Sequence, residues 1–445
     1  MLTLTEQTML GNIPSDWRSK PLKSLLSQHY PGDWGDDRGP HMVKTLRSTN
    51  LTNDGRLDLS DIALRAIPQR QADLLTPKQH DILLERPGGG PGQPVGRVGF
   101  IEVDMPGHAF SNFLHLLRPD PEAIDPRFLG WVLYHVNRTG RIIRLEQQTT
   151  QMRNLNFRDY LTMQLPVPPR NERIAIARVL DAVDTALERA RDAIARACEL
   201  DHSLLHDLME KGLSPNRNGK RKRPAHWKLR RVDEVADVGS GVTLGKDASG
   251  FKSVELPYLR VANVQDGHLD LSEIKTVRVR VDEVDAYRLE AGDVLMTEGG
   301  DLDKLGRGTI CEGQIPDCLH QNHIFRIRAN RALLEPAFFA LVIESDIAKQ
   351  YFNRVAKRTT NLASTNKTQV RAFQFPVPPT TDEQRQVAAI MKAAKDRLAG
   401  LVQKERALAD LKKSLMHDLL TGRVRVRVEP APHTSVHYQL STTPA

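Results

Sequence analysis

Cysteine is scarce: the 445 residues hold three, Cys198, Cys311 and Cys318. So few thiols build no disulfide framework, and the expectation is a fold held by burial in a reducing compartment. Aromatic residues make up only 5%, which argues against single-strand binding by base stacking, because that needs aromatic platforms. No apolar run approaches the roughly 18 residues of a membrane-spanning helix. The opening MLTLTEQTML lacks the basic and apolar regions of a secretory signal. A cytoplasmic protein is expected. Catalytic signatures are missing as well. GSGVTLGKD at Gly239 comes nearest to a phosphate-binding loop, but its spacing is wrong and no Ser or Thr follows Lys246. RPGGGPG at Arg86 precedes no helix pattern and reads as a flexible loop. VPPR and VPPT lack the acid or amide and the aromatic of a methyltransferase tetrapeptide, and RPDPEAID at Arg118 has acids without a suitably spaced lysine. Cys311, Cys318, His320 and His323 cluster, but C-x6-C is not zinc spacing, and no metal site is expected.

Positive charge is what the chain does have. The net formal charge is +8, which points to a polyanionic partner, nucleic acid first. The second positive feature is an internal repeat. QLPVPPRNER at Gln164 returns as QFPVPPTTDEQR at Gln374, with Pro166 and Pro376 at an offset of 376 − 166 = 210. Trp17 and Trp227, Gly96 and Gly306, Asn112 and Asn322, and Arg118 and Arg328 share that offset. LRSTN at Leu46 pairs with LRVAN at Leu259, DGRLDL at Asp54 with DGHLDL at Asp266, and DILL at Asp81 with DVLM at Asp293. The chain is two tandem copies of one unit, each far larger than a solenoid repeat. Two similar copies suit a ligand with two similar half-sites, as duplex DNA has.

Each copy has a front rich in Gly, Pro and short β-type runs and a helical back. In the first back part apolar or small residues fall at Ile176, Leu180, Val183, Leu187, Ala190, Ile194, Ala197, Leu204 and Leu208, with Asp201 interrupting. In the second they fall at Val387, Met391, Ala394, Leu398, Leu401, Leu408, Leu415 and Leu419, with Glu405 and Lys412 interrupting. These steps of three and four predict a heptad seam. The proline pairs fix φ and hold the chain extended before each helix, and Asn171 and Asp382 are the expected caps. Roughly 40 residues make a helix of about 60 Å, on the order of 18 base pairs of duplex. The seams fit an intramolecular pair; a homodimer or ordinary core helices would use the same pattern.

A Trp-led globular unit, a proline phrase followed by EQ or ER, and a long helix ending in LLHDLMEKGL or LMHDLLTGRVRV, all twice over, resemble the specificity subunit of type I restriction–modification systems. The resemblance covers nearly the whole chain. It implies an α+β fold: two tandem mixed α/β target recognition domains, each followed by a long helix, with the helices forming an antiparallel coiled-coil pair. Residues 1–164 and 227–374 would be the recognition domains, 165–213 and 375–422 the long helices, 214–226 a basic linker containing GKRKRP, and 423–445 a disordered tail. Each domain would read half of a split duplex DNA sequence. The helices would set the gap and carry two modification subunits, joined by two restriction subunits for cleavage. The chain itself would be non-catalytic and bind no cofactor; S-adenosylmethionine, ATP and Mg2+ would belong to the partners. PHMVKTLRSTNL and TTQMRNLN in the first copy are less regular than LPYLRVANV and TTNLASTN in the second, which implies two different half-sites.

Arg and Lys at phosphates give affinity; Arg, Asn and Gln at base edges give specificity. Candidate DNA-binding residues in the first copy are Arg47, Asn50, Arg97, Gln148, Gln151, Arg153 and Asn154. In the second they are Lys246, Arg260, Asn263, Lys304, Arg307, Lys357, Arg358 and Asn361. The rival from another class is a coiled-coil scaffold that bridges proteins without reading DNA.

Overall fold

The computed structural model describes residues 4–88, 94–148, 153–213, 224–245, 251–300, 305–358 and 363–426. The chain forms two compact units. One takes the residues up to Ala190 together with those from Lys404; the other takes Arg191–Gln403.

The first unit is organised by a four-stranded antiparallel sheet in the order Leu26–Pro31, Leu114–Pro119, Ile82–Glu85, Val98–Phe100. Ile82–Glu85 is buried at every position; Ile82, Leu83 and Leu84 are apolar on both faces, and the Glu85 carboxylate is paired with Arg97. Helix Pro126–Arg138 packs into the same core through Phe128, Trp131 and Val132. Pro126 occupies its first turn, and the Asp125 carboxylate accepts from the Phe128 amide at 2.9 Å, so φ is preset and one orphan donor is satisfied. A second core lies between this sheet and a smaller one, His108–Phe110, Met42–Leu46 and Ala63–Ala66, closed by helix Gln69–Leu75.

The second unit repeats the plan. Its sheet runs Ala236–Ser240, Ile324–Ala329, Val294–Thr297, Gly308–Ile310, again antiparallel. Its smaller sheet runs Lys275–Arg280, Ser253–Leu259, Leu319–His320. Where the first unit has one helix of 13 residues, the second has Pro336–Glu344 and Asp346–Val355, divided at Ser345.

The proline phrase proves to be a strand. Gln164–Val167 pairs antiparallel with Arg18–Pro21, and Gln374–Val377 with Lys228–Arg231. Each sheet has only two strands, so a proline without an N–H is tolerated at its edge. The leading tryptophan is tied to the same junction. Trp17 Nε1 donates to Glu172 at 3.1 Å, and Trp227 Nε1 donates to Glu383 at 2.8 Å. The repeated phrase therefore closes each globular part onto its own beginning and launches a helix.

Those helices are Arg170–Lys211 and Thr381–Leu420. The expected caps sit two residues too far in. Asn171 and Asp382 are already helical; the Thr380 hydroxyl accepts from the Glu383 amide at 3.3 Å, and the first bond of the other helix runs from the Arg173 amide to Pro169 O. The helices pack together and run antiparallel. In the first unit Glu172 meets Arg425 while Asp184 meets Lys412. Ile176, Leu180, Leu419 and the unpredicted Met416 and Leu420 enter its main core. In the second unit Leu208, Val387 and Met391 enter the main core with Leu205 and Met209, and Leu204 packs against it. Leu187 is buried, whereas Val183, Ile194, Leu398, Leu401, Leu408 and Leu415 are half-buried. The pair is thus most deeply buried at its ends, where globular cores recruit neighbours of the seam positions.

Lys412, an interruption of the seam, is 5% exposed. It donates to Asp184 at 2.5 Å, its ammonium lies 5.0 Å from the Trp131 ring centroid, and Arg56 reaches the same carboxylate. The buried cation is offset by the Asp184 carboxylate and by the rings of Trp131 and Tyr134. In the helices the repeat offset is one larger, since His206-Asp207-Leu208 returns as His417-Asp418-Leu419 (417 − 206 = 211); there Lys412 corresponds to Asp201 and Asp184 to Lys395, so the signs are reversed in the other half. There Lys395 bonds Glu344 at 2.5 Å.

Candidate nucleic-acid interface

Several candidates are internal clamps. Asn50 is 3% exposed; it accepts from the Arg47 amide at 2.8 Å and donates to the carbonyls of Asp58 and Asp61. Asn263 is 3% exposed and makes the same bonds to Arg260, Asp270 and Glu273. Arg47 and Arg260 reach across these loops to Asp61 and Glu273. The repeated R-x-x-N therefore holds the repeated DGRLDL and DGHLDL turns, and the buried asparagines are spent on backbone rather than offered to a base. Arg97 forks onto Glu85 at 2.9 and 2.7 Å and also donates to Ser48 and Leu51 carbonyls. Arg307 donates to Gln265 at 2.7 Å. These side chains brace the loops they reach across.

Other candidates come together on a small three-stranded sheet present in each copy. In the first its strands are Glu146–Gln148, Arg153–Leu155 and Pro87–Gly88; in the second they are Lys357–Arg358, Ala363–Ser364 and Gly299–Gly300. Gln148, Arg153 and Asn154 belong to the first, Lys357 and Arg358 to the second. Arg153 faces Glu146 at 3.5 Å; Lys357 and Arg358 are exposed, with Arg358 donating to the Asn353 carbonyl. Gln151, Lys246, Lys304 and Asn361 lie outside the described residues, as do the Gln148 side chain, linker residues 214–223 and tail residues 427–445. Arg425, inside the expected tail, is anchored by Asp16 and Glu172.

Beside the first of these sheets opens a cleft of about 750 Å3, lined by Arg86, Asn112, Phe113, Gln147, Asn154 and Arg158 among others. Its floor is aromatic: the Phe157 ring lies 3.9 Å from His115 and under the Arg86 guanidinium at 4.9 Å. Burial pushes the His115 imidazole down to about 3, helped by Arg86, so the floor stays neutral. Of the lining residues only Asn154 is among the DNA-binding candidates read from the sequence. The signal that could have found Arg86 was the repeat itself, because unlike residues at matched positions mark divergence on a shared scaffold.

Of the histidine–cysteine cluster, Cys311, Cys318 and His320 are core, while His323 is exposed and meets Glu298. His320 is wholly buried, its Nδ1 2.9 Å from the Tyr287 carbonyl, and burial pushes its imidazole down to about 4 and the Cys318 thiol up to about 12. Among the described residues no group of three His, Cys, Asp or Glu could hold a metal ion.

With this geometry in hand, comparison with known proteins places the architecture. Residues 224–407 match the family described as the type I restriction modification DNA specificity domain. Over nearly its whole length the chain is similar to a putative type I restriction enzyme MjaX specificity subunit of Methanocaldococcus jannaschii, 29% identical with 95% of this chain and 97% of that protein covered. The EcoKI specificity subunit of Escherichia coli K12 is 21% identical over 84% of this chain and 81% of its own. In fold the chain matches a type I specificity subunit from M. genitalium with a TM-score of 0.55 at 16% identity, covering 94% and 98% of the two chains. A chain from work on complex assembly and conformational transition of the type I R-M system gives 0.55 at 17%, covering 93% and 99%. The resemblance read from the sequence holds: this chain resembles a type I restriction–modification specificity subunit, with two tandem mixed α/β units and a pair of long helices.

Proposed function

We propose that this chain is the DNA sequence-specificity subunit of a type I restriction–modification complex, reading a bipartite duplex target and directing the modification and restriction subunits to it. The observation that carries the reading is the duplication. Each copy keeps the same buried clamps and the same strand order, while residues around its small outer sheet differ. That is the design of two readers for two unlike half-sites on one ligand with repeated geometry. The net charge of +8 supplies attraction to phosphates.

The chain positions rather than catalyses. Its long helices, about 60 Å each at 1.5 Å per residue, hold the gap and carry the partners: two modification subunits using S-adenosylmethionine to methylate adenine, and two restriction subunits using ATP and Mg2+. A cytoplasmic site of action belongs to the same reading. Among the described residues no helix is long and apolar enough to cross a membrane.

The adenine methylome of the source cell, with and without this gene, tests the reading. Loss of methylation at one split motif, two short defined halves around a fixed gap, is the expected result. If the purified complex binds all duplexes alike, the sequence-reading role is wrong and the helices serve a scaffold.

A further inference from the structure

One matched position carries opposite charge in the two copies. The Arg86 amide donates to the Phe113 carbonyl at 3.0 Å, and the Arg86 carbonyl accepts from the Leu155 amide at 2.9 Å. The Glu298 amide donates to the His323 carbonyl at 2.9 Å, and the Glu298 carbonyl accepts from the Thr365 amide at 2.7 Å. The backbone at Arg86 and at Glu298 is therefore held by equivalent strands in the same way. Each residue leads from the buried central strand into the small outer sheet, Arg86 beside Pro87–Gly88 and Glu298 beside Gly299–Gly300.

The side chains around these positions differ in kind. Arg86 is half-buried, its guanidinium supported from below by the Phe157 ring, and no carboxylate pairs with it among the described residues. It faces the open cleft together with amides from Asn112, Gln147 and Asn154 and with Phe113, which is 44% exposed. In the second copy the counterpart of Phe113 is His323, whose Nδ1 lies 2.6 Å from the Glu298 carboxylate. By position in the repeat and in the sheet, Asn322, Lys357 and Ser364 stand where Asn112, Gln147 and Asn154 stand in the first copy.

A phosphate-facing position would require a cation in both copies, because a glutamate there would repel the backbone of the DNA. A base edge has no such requirement. Guanine offers two acceptors that match an arginine fork, and cytosine offers an amino donor that matches a carboxylate. We propose that Arg86 and Glu298 are specificity-determining residues, Arg86 reading a guanine in one half-site and Glu298 a cytosine in the other. This rests on the DNA-reading function above. Phe157 and His323 are positioning residues, holding the guanidinium and the carboxylate in orientation.

The test is selection of bound duplexes from a randomised library by the full chain assembled with its modification subunits. It compares the unaltered complex with Arg86→Ala, Arg86→Lys, Glu298→Gln and Glu298→Ala, each first checked for an unchanged melting temperature. R86A is expected to lose about ten- to hundredfold discrimination for G·C at one position of one half-site and to leave the other half-site untouched. R86K is expected to lose most of the same discrimination, since an ammonium cannot fork. E298Q and E298A are expected to relax one position of the other half-site. If the unaltered complex selects a bipartite motif and these variants reproduce it, or if R86A weakens binding uniformly while R86K restores it, the base-reading assignment is overturned and the DNA-reading function stands. If the unaltered complex selects no motif, both fall.

Discussion

Asp81 and Asp293 show what a single side chain does in this fold. Arg118 forks onto Asp81 with both bonds at 2.7 Å, and Arg328 onto Asp293 with both at 2.7 Å. Each carboxylate also accepts a backbone amide of its own turn, from Lys78 and from Glu290. With about 1% of the aspartate exposed, removing the arginine strands a buried charge, and removing the aspartate leaves a guanidinium fork and a backbone amide without their acceptor. Asp81→Ala is expected to cost about 3 kcal/mol or more, read as a lower denaturant midpoint for the first half. Three buried histidines set a second expectation. Burial holds His115 at about 3 and His135 and His320 at about 4. A lowered histidine pKa means that the unfolded chain binds the proton first, at its ordinary value near 6.5. Stability is therefore full above about pH 6.5 and falls as pH drops towards 4, each histidine adding about 1.4 kcal/mol per pH unit in that window. Thermal unfolding followed from pH 7 to pH 4 checks this, and His320→Gln should flatten the slope. Asn50 marks the limit of sequence reading at this scale. A polar residue beside an arginine in a turn-rich stretch has the composition of a base reader, yet its hydrogen-bond partners are backbone groups up to 11 residues away. Only the folded loop says which side of it faces in.

The elements themselves were largely legible. Period-three-and-four apolar spacing announced both long helices, and the proline pairs announced their starts, because φ restriction acts locally. The sequence could not say that the extended prolines would pair with the segment just after each tryptophan, since that pairing joins distant residues such as Ser19 and Pro166, 166 − 19 = 147 positions apart. Nor could it say what a lysine in a heptad seam would find. Spacing marks Lys412 as an interruption; only the antiparallel packing puts Asp184 opposite it. The Asp184 carboxyl is pushed up by burial, but the bonds and charges of Lys412 and Arg56 outweigh that and hold it below its usual value. Its contribution is accordingly present above about pH 4 and lost as the carboxyl protonates below it. A double-mutant cycle on Asp184→Asn and Lys412→Met is expected to give a coupling energy of about 1–3 kcal/mol, measured by chemical denaturation. A coupling near zero would mean that Arg56 alone carries the pair.

At the scale of the whole chain, the duplication was plain in the sequence, and it is what made the resemblance readable. What the linear repeat hides is that neither copy is self-sufficient. The first core takes in Met416, Leu419 and Leu420 from the far end of the chain, and the second takes in Leu205, Leu208 and Met209 from the helix that follows the first copy. Truncation after Gln403 should therefore loosen the first half while sparing the second. Hydrogen exchange is the measure: protection should fall in Ile82–Glu85 and Pro126–Arg138 and persist in Val294–Thr297. Equal loss in both halves would contradict the division of the helices between the cores.

The borrowed helix end also has a consequence in time. Leu180 and Met416 share a core but are separated by 416 − 180 = 236 residues. A ribosome adding roughly 5–20 residues per second takes on the order of 10–50 s to cover that distance. Throughout that interval the first-made domain stands with one apolar wall open, and the last-made one is completed first. The newborn protein is thus assembled back to front, and during synthesis its leading half is the part most in need of a chaperone.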